Sequence, residues 1–267
     1  MDELKWSPYL RLIQRTGSTK HAGGFRYTDF LLSRTNLTEA SRVLDVGCGA
    51  GHTSAHIAKT YGCHVTGVDI APEAIERAQA IYCDEPYFDR MSFHVGDATD
   101  LSRLPQDFHV VLCESVLIFI KDKARALSQM ASRLRPGGFL AINELCAGEG
   151  EHEQEAINFF ARPEMGGFLT TSETLVAWFG DGWRLVVVDE QPFDMKAQAQ
   201  ADWAQWGNFR GLTQLLETGY QLVFNKHMQS DLLAVLKYFI NAPPGIFKHL
   251  NLILILAQKN TECRTAA

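Results

Sequence analysis

VLDVGCGAG, residues 43–51, is the stretch of sequence that decides the fold. Its apolar start predicts a buried strand, and its glycines predict a tight turn directly after that strand. Gly47, Gly49 and Gly51 carry no Cβ, so one side of the turn is open and a ligand can lie against the backbone. We predict that a helix at about residues 53–61 follows and aims its free N–H groups at that ligand.

A second apolar run, at residues 64–68, ends in an acid. This acid, Asp69, lies eighteen positions after Gly51. An acid at the tip of the second strand of a β-α-β unit is placed to accept hydrogen bonds from two ribose hydroxyls. The glycine turn and Asp69 together predict a binding site for a cofactor that contains adenosine.

The spacing of the glycines indicates which cofactor this is. A dinucleotide fingerprint needs G-x-G-x-x-G, whereas this turn reads G-x-G-x-G, with Asp45 two residues before the first glycine. That form resembles motif I of the class I methyltransferases that depend on S-adenosylmethionine (SAM). Three further landmarks resemble that family in the same order: Gly96-Asp97-Ala98 after a short strand, the fourth strand and its loop at 108–119, and the turn Leu134-Arg135-Pro136-Gly137-Gly138. The resemblance covers roughly residues 40–145 and defines fold and cofactor far better than substrate.

Alternating strands and helices predict an α/β fold, with a parallel sheet covered by helices. The resemblance implies a seven-stranded, mostly parallel Rossmann-like sheet with an antiparallel last strand. About sixty residues separate the last two strands, where the family normally has a short loop, and helical patterns at 197–218 and 229–240 make this insertion a predicted lid. The predicted strands are 43–47, 64–68, 91–95, 108–113, 139–144, 183–190 and 250–258. The predicted parts are a helical N-terminal cap at 1–40, a core at 41–192 and 250–260, and a helical lid insertion at 193–249.

The resemblance also implies which residues contact SAM. The glycine turn admits the methionine part, Asp69 holds the ribose, and Asp97 with Ala98 borders the adenine. The full set predicted to bind the cofactor is Asp45, Gly47, Cys48, Gly49, Gly51, Asp69, Ile70, Asp97, Ala98, Glu114 and Gly24.

Two residues are candidates for a catalytic role toward the methyl acceptor. His21 begins an H-x-G-G element, found ahead of motif I in some small-molecule methyltransferases; the alternative is a glycine hinge with an exposed histidine. Glu114 follows the fourth strand and could orient an acceptor or act as general base; the alternative is a polar residue that only shapes the site. Glu144, at the end of the fifth strand, either faces the same crevice or caps a neighbouring element. Methyl transfer mainly requires alignment, so the sequence does not demand a dedicated base.

Aromatic residues in the predicted lid have helical spacing. Trp203, Trp206 and Phe209 lie at i, i+3 and i+6, which forms one aromatic face. This face either walls an apolar or cationic acceptor or packs as an ordinary lid helix.

Composition excludes several kinds of partner. A net charge of −6 without a basic stripe makes nucleic acid an unexpected partner. The six cysteines include no CxxC pair, the first residues are too charged for a secretory signal, and no apolar run approaches twenty residues. We therefore expect a cytoplasmic protein without stable membrane association. His52 and His56 form an i, i+4 pair without a third ligand, so no metal site is predicted; the oligomeric state is not predicted.

The predicted function is transfer of a methyl group from SAM to an O, N or C nucleophile of a small-molecule acceptor enclosed under the helical lid. A non-catalytic SAM-binding protein and a lipid-modifying enzyme similar to cyclopropane fatty acid synthases stay as alternatives. An NAD-dependent oxidoreductase is less favoured because of the glycine spacing and the late antiparallel strand pair.

Overall fold

The computed structural model describes residues 6–16, 21–194 and 225–261. The strands of this part are β1 (Arg42–Val46), β2 (His64–Asp69), β3 (Met91–Val95), β4 (Phe108–Glu114), β5 (Leu134–Ala147), β6 (Trp183–Pro192) and β7 (Leu250–Lys259). The α-helices are α1 (Pro8–Thr16), α2 (Phe25–Leu32), α3 (His52–Tyr61), α4 (Pro72–Tyr82), α5 (Lys123–Arg133), α6 (Glu153–Phe160), α7 (Ser172–Ala177) and α8 (Lys226–Ile240). Short 3₁₀ turns lie at Phe88–Arg90, Leu117–Phe119 and Ile246–His249.

All seven strands join one sheet in the order β3-β2-β1-β4-β5-β7-β6. The pairs β1–β2, β1–β4, β2–β3 and β4–β5 are parallel, while β7 runs antiparallel to both β5 and β6. The predicted α/β fold with an antiparallel last strand is therefore confirmed. Strand order reverses between β1 and β4, which opens a crevice at their carboxyl ends.

Burial explains why these segments are strands and why the sheet is central. Strands β4 and β7 are apolar nearly throughout and buried on both faces, as expected for a sheet covered by helices. One face packs a cluster that includes Val43 and Ile57 against α2, α3 and α4. The opposite face packs a cluster that includes Leu44 and Leu127 against α5 and α7. The two clusters hold the strand ends in place for a ligand.

A further apolar cluster, the third cluster, is built mainly by elements that follow β5, together with Ile118 from the turn after β4 and Ala147 of β5. Its buried members are Ile118, Ala147, Ala156, Phe159, Phe160, Met165, Leu169, Tyr238, Ile246 and Leu250. Tyr9 of α1 packs against it, and its ring stacks on Phe119 with the centroids 6.0 Å apart. The N-terminal helix thus covers the same region as the helices that follow the fifth strand.

An ionic clasp joins α1 to α8. Asp231 is 5% exposed and accepts hydrogen bonds from Arg11 Nε at 3.2 and 3.1 Å and from Arg11 Nη2 at 2.5 Å. Arg15 Nη1 donates to Asp231 Oδ2 at 3.2 Å. Since Asp231 lies late in the chain, this clasp fixes the N-terminal helix to the predicted insertion.

Several predicted boundaries were wrong. β5 begins at Leu134 and not at 139, because Leu134 already pairs with Phe108 across a register shift in β4. Two helices, α6 and α7, lie between β5 and β6. α8 begins at Lys226 because the Asn225 side chain accepts a hydrogen bond from Met228 N–H at 3.1 Å. The helical pattern at 197–218, with Trp203, Trp206 and Phe209, lies outside the described residues.

Candidate functional site

A cavity of about 850 Å³ opens at the carboxyl ends of the central strands. Its polar half is lined by residues at or just after the carboxyl ends of β1, β2, β3 and β4, among them Gly47, Asp69, Asp97 and Glu114. Its apolar half reaches the third cluster and α1. The volume lies toward the upper end of the ~300–1,000 Å³ common for ligand pockets, and its position matches the switch point of an open α/β sheet.

The glycines of the first turn serve different purposes. Gly47, Gly49 and Gly51 all have positive φ, at 76°, 53° and 78°. Gly47 and Gly49 line the cavity. Gly51 is not among the lining residues, and a Cβ there would lie 2.9 Å from the Phe93 ring and 3.0 Å from Ala78 Cβ. The third glycine therefore permits close packing of α3 on β3 and α4.

Internal bonds occupy the backbone N–H groups of the turn. Gly47 N–H and Cys48 N–H both donate to the Val68 carbonyl, at 2.7 and 3.1 Å. Gly49 N–H donates to Asp69 Oδ2 at 2.9 Å. A diphosphate requires such amides as donors, and these three are already committed to the end of β2.

Asp69 is oriented by the backbone on both sides. Its second oxygen accepts the Ala71 N–H at 2.9 Å, and the residue is 6% exposed. Burial raises the pKa of this carboxyl above its usual range, and its hydrogen bonds from Ala71, Gly49 and Ile70 partly offset that effect. A carboxylate has about four lone-pair positions. Asp69 therefore keeps the capacity to accept hydroxyl groups from the cavity side.

Asp45 is a buried acid beneath the glycine turn. It is 3% exposed and accepts a hydrogen bond from Ser54 Oγ at 2.6 Å. Burial raises its pKa to about 7, while the Ser54 bond opposes the shift and the charge of Glu114 adds to it. Cys48, beside it, also lines the cavity, and burial raises the pKa of its thiol well above the usual range.

The loop after β3 supplies the third edge of the polar half. Ile70, Asp97 and Ala98 all line the cavity. Asp97 is exposed, and its Oδ1 accepts the backbone N–H and the hydroxyl of Thr99, each at 2.8 Å. This local turn presents the Asp97 carboxylate at the cavity mouth.

The H-x-G-G element folds onto the carboxyl ends of β4 and β5. Ala22 N–H donates to Ser115 Oγ at 3.0 Å, and Asn143 Nδ2 donates to the Ala22 carbonyl at 2.8 Å. Ser115 has a φ of 56°, an uncommon conformation that turns its side chain toward this loop. His21 is 7% exposed and lines the cavity, so the alternative of an exposed histidine is wrong.

Thr28 connects His21 with Glu114 inside the protein. The Thr28 hydroxyl is fully buried and lies 3.0 and 3.1 Å from the two Glu114 oxygens and 3.2 Å from His21 Nε2. An ionised carboxylate only accepts, so the hydroxyl donates to Glu114 and accepts from Nε2–H. In the neutral imidazole with hydrogen on Nε2, the lone pair is on Nδ1, which lies 3.3 Å from Thr53 Oγ1 and 3.5 Å from Glu114 Oε2.

Glu144 caps the 3₁₀ turn after β4 and also lines the cavity. It is fully buried, and its oxygens accept the backbone N–H groups of Ile118 at 3.3 Å and Leu145 at 2.9 Å. Burial raises its pKa to about 7, and the backbone hydrogen bonds oppose that shift. The carboxyl therefore stabilises the 3₁₀ turn at Leu117–Phe119, as the capping alternative predicted, and it contributes to the cavity wall.

Other predicted residues lie outside the cavity. Gly24, with a φ of 63°, caps the N-terminus of α2 and is not among the lining residues. His52 lies 2.7 Å from the Tyr82 hydroxyl, and His56 Nε2 lies 2.8 Å from Asp29 Oδ1. Within the described residues, no cluster of three or more His, Cys, Asp or Glu could hold a metal ion.

Sequence reasoning missed three residues that organise the site: Thr28, Thr53 and Asn143. They are polar residues inside a helix or strand, without a motif, and only packing brings them to His21 and Glu114. For Thr28, the available sequence signal was a threonine in the helix that follows the H-x-G-G element.

Three comparisons relate this chain to known proteins. A family profile described as a methyltransferase domain matches residues 37–180, more than half of the chain. The glycine turn and the strand-end acids lie within the matched residues. The fold is that of the Rossmann-like class I methyltransferases, and the chain belongs to the methyltransferase-domain family.

Named relatives share only part of their length with this chain. O-methyltransferase resE of Aspergillus sclerotiorum is 34% identical over 121 residues, which are 45% of this chain and 46% of the relative. Phosphoethanolamine N-methyltransferase 1 of Triticum aestivum is 31% identical over 137 residues, 50% of this chain and 26% of the relative. The chain thus spans less than half of either protein.

A solved structure extends the likeness to nearly the whole chain. A SAM-dependent methyltransferase from Geobacter sulfurreducens, in complex with S-adenosylhomocysteine, superposes with a TM-score of 0.67 over 94% of this chain and 98% of that one. Sequence identity is 20%, so this likeness establishes the fold alone. No helix in the described part of the chain is long and apolar enough to cross a membrane.

Proposed function

We propose that the protein is a SAM-dependent methyltransferase that methylates an O, N or C nucleophile of a small molecule held in the cavity. One observation carries the proposal: an open glycine turn and three strand-end acids, Asp69, Asp97 and Glu114, converge on one cavity. The membership of the family and the position of the cavity at the switch point support the same reading.

Charge and hydrogen bonding favour SAM over a dinucleotide. Gly47, Cys48 and Gly49 have already donated their backbone N–H groups within the protein, so they offer no donors to a diphosphate. Carboxylates border the same space and would repel phosphate oxygens, whereas SAM carries positive charge on its sulfonium and amino groups. The donor set therefore fits SAM and opposes NAD.

The proposal assigns the predicted contacts to parts of the cavity, except those of Gly24 and Gly51. The backbone of Gly47, Cys48 and Gly49 would border the methionine part, above Asp45. Asp69 would accept the ribose hydroxyls with its remaining lone pairs, and Ile70 would pack beside them. The loop at Asp97 and Ala98 would border the adenine. Gly24 and Gly51 would act through α2 and α3, since neither lines the cavity.

His21 is the proposed proton acceptor on the acceptor side. SAM supplies a methyl group already activated by its sulfonium, so the protein must align the acceptor and take up its proton. In this proposal the neutral ring donates Nε2–H to Thr28, which leaves the lone pair on Nδ1. A proton arriving at Nδ1 would be stabilised by Glu114 Oε2, 3.5 Å away.

Calorimetric titration with SAM, S-adenosylhomocysteine and NAD tests the cofactor. We expect micromolar binding of SAM or S-adenosylhomocysteine and no binding of NAD. Binding of NAD alone, or of none of the three, would contradict the proposal.

A matched pair of variants locates the adenosine. Asp97 and Asp100 are exposed acids in the same loop, and each accepts a local backbone N–H, but only Asp97 lines the cavity. Asp97→Ala should weaken S-adenosylhomocysteine binding by about tenfold, the usual value for a hydrogen bond to a charged group. Asp100→Ala should leave binding unchanged. Equal effects of the two substitutions would argue against adenosine at this edge.

Turnover separates an enzyme from a non-catalytic SAM-binding protein. Phenols, amines and other small molecules are screened by release of S-adenosylhomocysteine, and the product is identified by mass. With an accepted substrate, His21→Asn should lower kcat by about 10²-fold or more, and His56→Asn, on a histidine outside the cavity, should not. If no candidate acceptor leads to release of S-adenosylhomocysteine, the non-catalytic alternative is favoured. If the product carries a methylene bridge added across an alkene, the cyclopropane-forming alternative is favoured.

The proposal includes a cytoplasmic location and no nucleic-acid partner. Five described cysteines, Cys48, Cys63, Cys83, Cys113 and Cys146, are free thiols, which suits a reducing compartment. The net charge of −6 opposes binding to a nucleic-acid backbone.

A further inference from the structure

The apolar half of the cavity is a built chamber. Tyr9 and Ile13 face it from consecutive turns of α1, and Ile118 and Phe119 face it from the 3₁₀ turn after β4. Phe160 of α6 closes another side. Most of these residues belong to, or pack against, the third cluster, so the chamber has a rigid wall with its own core behind it.

Of the described residues that line the cavity, none is lysine or arginine. Three described cations that lie close to lining residues in sequence have partners elsewhere. Arg11 and Arg15 of α1 bind Asp231. Lys123 donates its Nζ hydrogens to the carbonyls of Ile120 and Phe168 and is absent from the lining. Within the described residues, an anionic group in the chamber would therefore find no lysine or arginine in the wall.

Carboxyl groups oppose an anion further. Among the described residues, five acids line the cavity: Asp45, Asp69, Asp97, Glu114 and Glu144. A phosphate or carboxylate moved from water into such a space would lose hydration and meet like charge. An uncharged ring or chain would incur no such cost, because removing apolar surface from water is favourable.

From this juxtaposition of an apolar wall and an acidic floor, we infer that the acceptor is an uncharged, largely apolar molecule with one nucleophilic group. The inference rests on the proposed function and adds the substrate class. In this inference the apolar body lies among Ile13, Phe119 and Phe160, and the nucleophilic group points to the polar His21–Glu114 end of the cavity. We expect phosphorylated and carboxylated acceptors to bind more weakly than uncharged ones.

A matched pair of probes tests the substrate class: 1-naphthol and 1-naphthyl phosphate. Their affinities are measured by calorimetry on the full-length protein, with and without saturating S-adenosylhomocysteine. We expect 1-naphthol to bind at least about tenfold more tightly than its phosphate, since the buried phosphate would be unpaired. Equal affinities, tighter binding of the phosphate, or no binding of either probe would overturn the inference.

Two arginine variants show whether the probe lies in the chamber. Ile13→Arg places a cation on the half-buried wall, and Ile240→Arg places one at a position 79% exposed at the end of α8. Ile13→Arg should weaken 1-naphthol binding and strengthen 1-naphthyl phosphate binding, so the preference falls by about tenfold or reverses. Ile240→Arg should change neither. An unchanged preference in folded Ile13→Arg protein, verified by circular dichroism, would refute the chamber assignment.

The two proposals can fail separately. Loss of S-adenosylhomocysteine binding with an intact naphthol preference would refute the cofactor proposal and leave the apolar chamber. Binding of S-adenosylhomocysteine without a naphthol preference would refute the substrate class and leave the cofactor proposal.

Discussion

Asp45→Asn should flatten the pH dependence of the stability of this protein. The Asp45 carboxyl is buried beneath the glycine turn, and its folded-state pKa is about 7 against an ordinary value of 3.8. The folded state therefore binds more protons than the unfolded state between these two values. Stability from this group is complete below about pH 4 and is lost as the pH rises through about 7.

The magnitude follows from the shift. Roughly three pKa units at 1.36 kcal/mol each set an upper limit of about 4 kcal/mol on the free energy of unfolding lost between about pH 4 and pH 8. Relaxation around the buried charge reduces this, and we expect a difference of at least about 1 kcal/mol between wild type and variant over that range. Asparagine keeps an oxygen that accepts the Ser54 hydroxyl, so the variant removes titration and little packing.

Urea denaturation of ligand-free protein across this pH range measures the effect. Asp45→Asn should gain stability relative to wild type as the pH rises, and Ser54→Ala should steepen the wild-type loss because the Ser54 bond lowers the Asp45 pKa. Asp84→Asn makes the same chemical change at an exposed position and should give a curve parallel to wild type. A parallel curve for Asp45→Asn, or one that diverges in the opposite direction, would refute the reasoning.

Three further variants test the packing around the site. Gly51→Ala should cost about 2 to 4 kcal/mol of unfolding free energy, from a positive φ and overlap with the Phe93 ring; urea denaturation should find partial recovery when Phe93→Leu is added, and none if the ring is not the obstacle. Asp231→Asn should lose about 1 to 2 kcal/mol and speed proteolysis at α1, because the clasp to Arg11 and Arg15 weakens; an unchanged cleavage rate would contradict a role in holding that helix. Thr28→Val should lower kcat with an accepted substrate and shift its pH profile, since the His21 tautomer loses its fixing partner; a lower stability with an unchanged profile would limit Thr28 to a structural role.

Local sequence predicted the strands well because each is a run of apolar residues with a periodicity of its own. The predicted strand at 64–68 is observed at His64–Asp69, and that at 250–258 is observed at Leu250–Lys259. The start of β5 was missed because Leu134 joins the sheet through Phe108, a partner distant in the sequence. Pairing across such a distance has no local signature.

The residues of the site likewise divide into those predicted from local sequence and those whose role depends on tertiary packing. Gly47, Gly49 and Asp69 were predicted from short-range spacing, because a turn with positive φ and an acid at a strand end are local properties of the chain. The packing role of Gly51 depends on the Phe93 ring, which comes from another strand. The capping role of Glu144 depends on a turn that begins at Leu117.

The sequence by itself therefore determined the family, the α/β sheet and the glycine turn, because those follow from residue types at fixed spacing. Tertiary structure alone decided that Thr28 joins His21 to Glu114 and that Asp231 holds α1 over the cavity. It also decided that the cavity has an acidic floor and an apolar wall without a described cation. Hydrogen bonds and burial join groups that are distant along the chain, and their partners are set by packing.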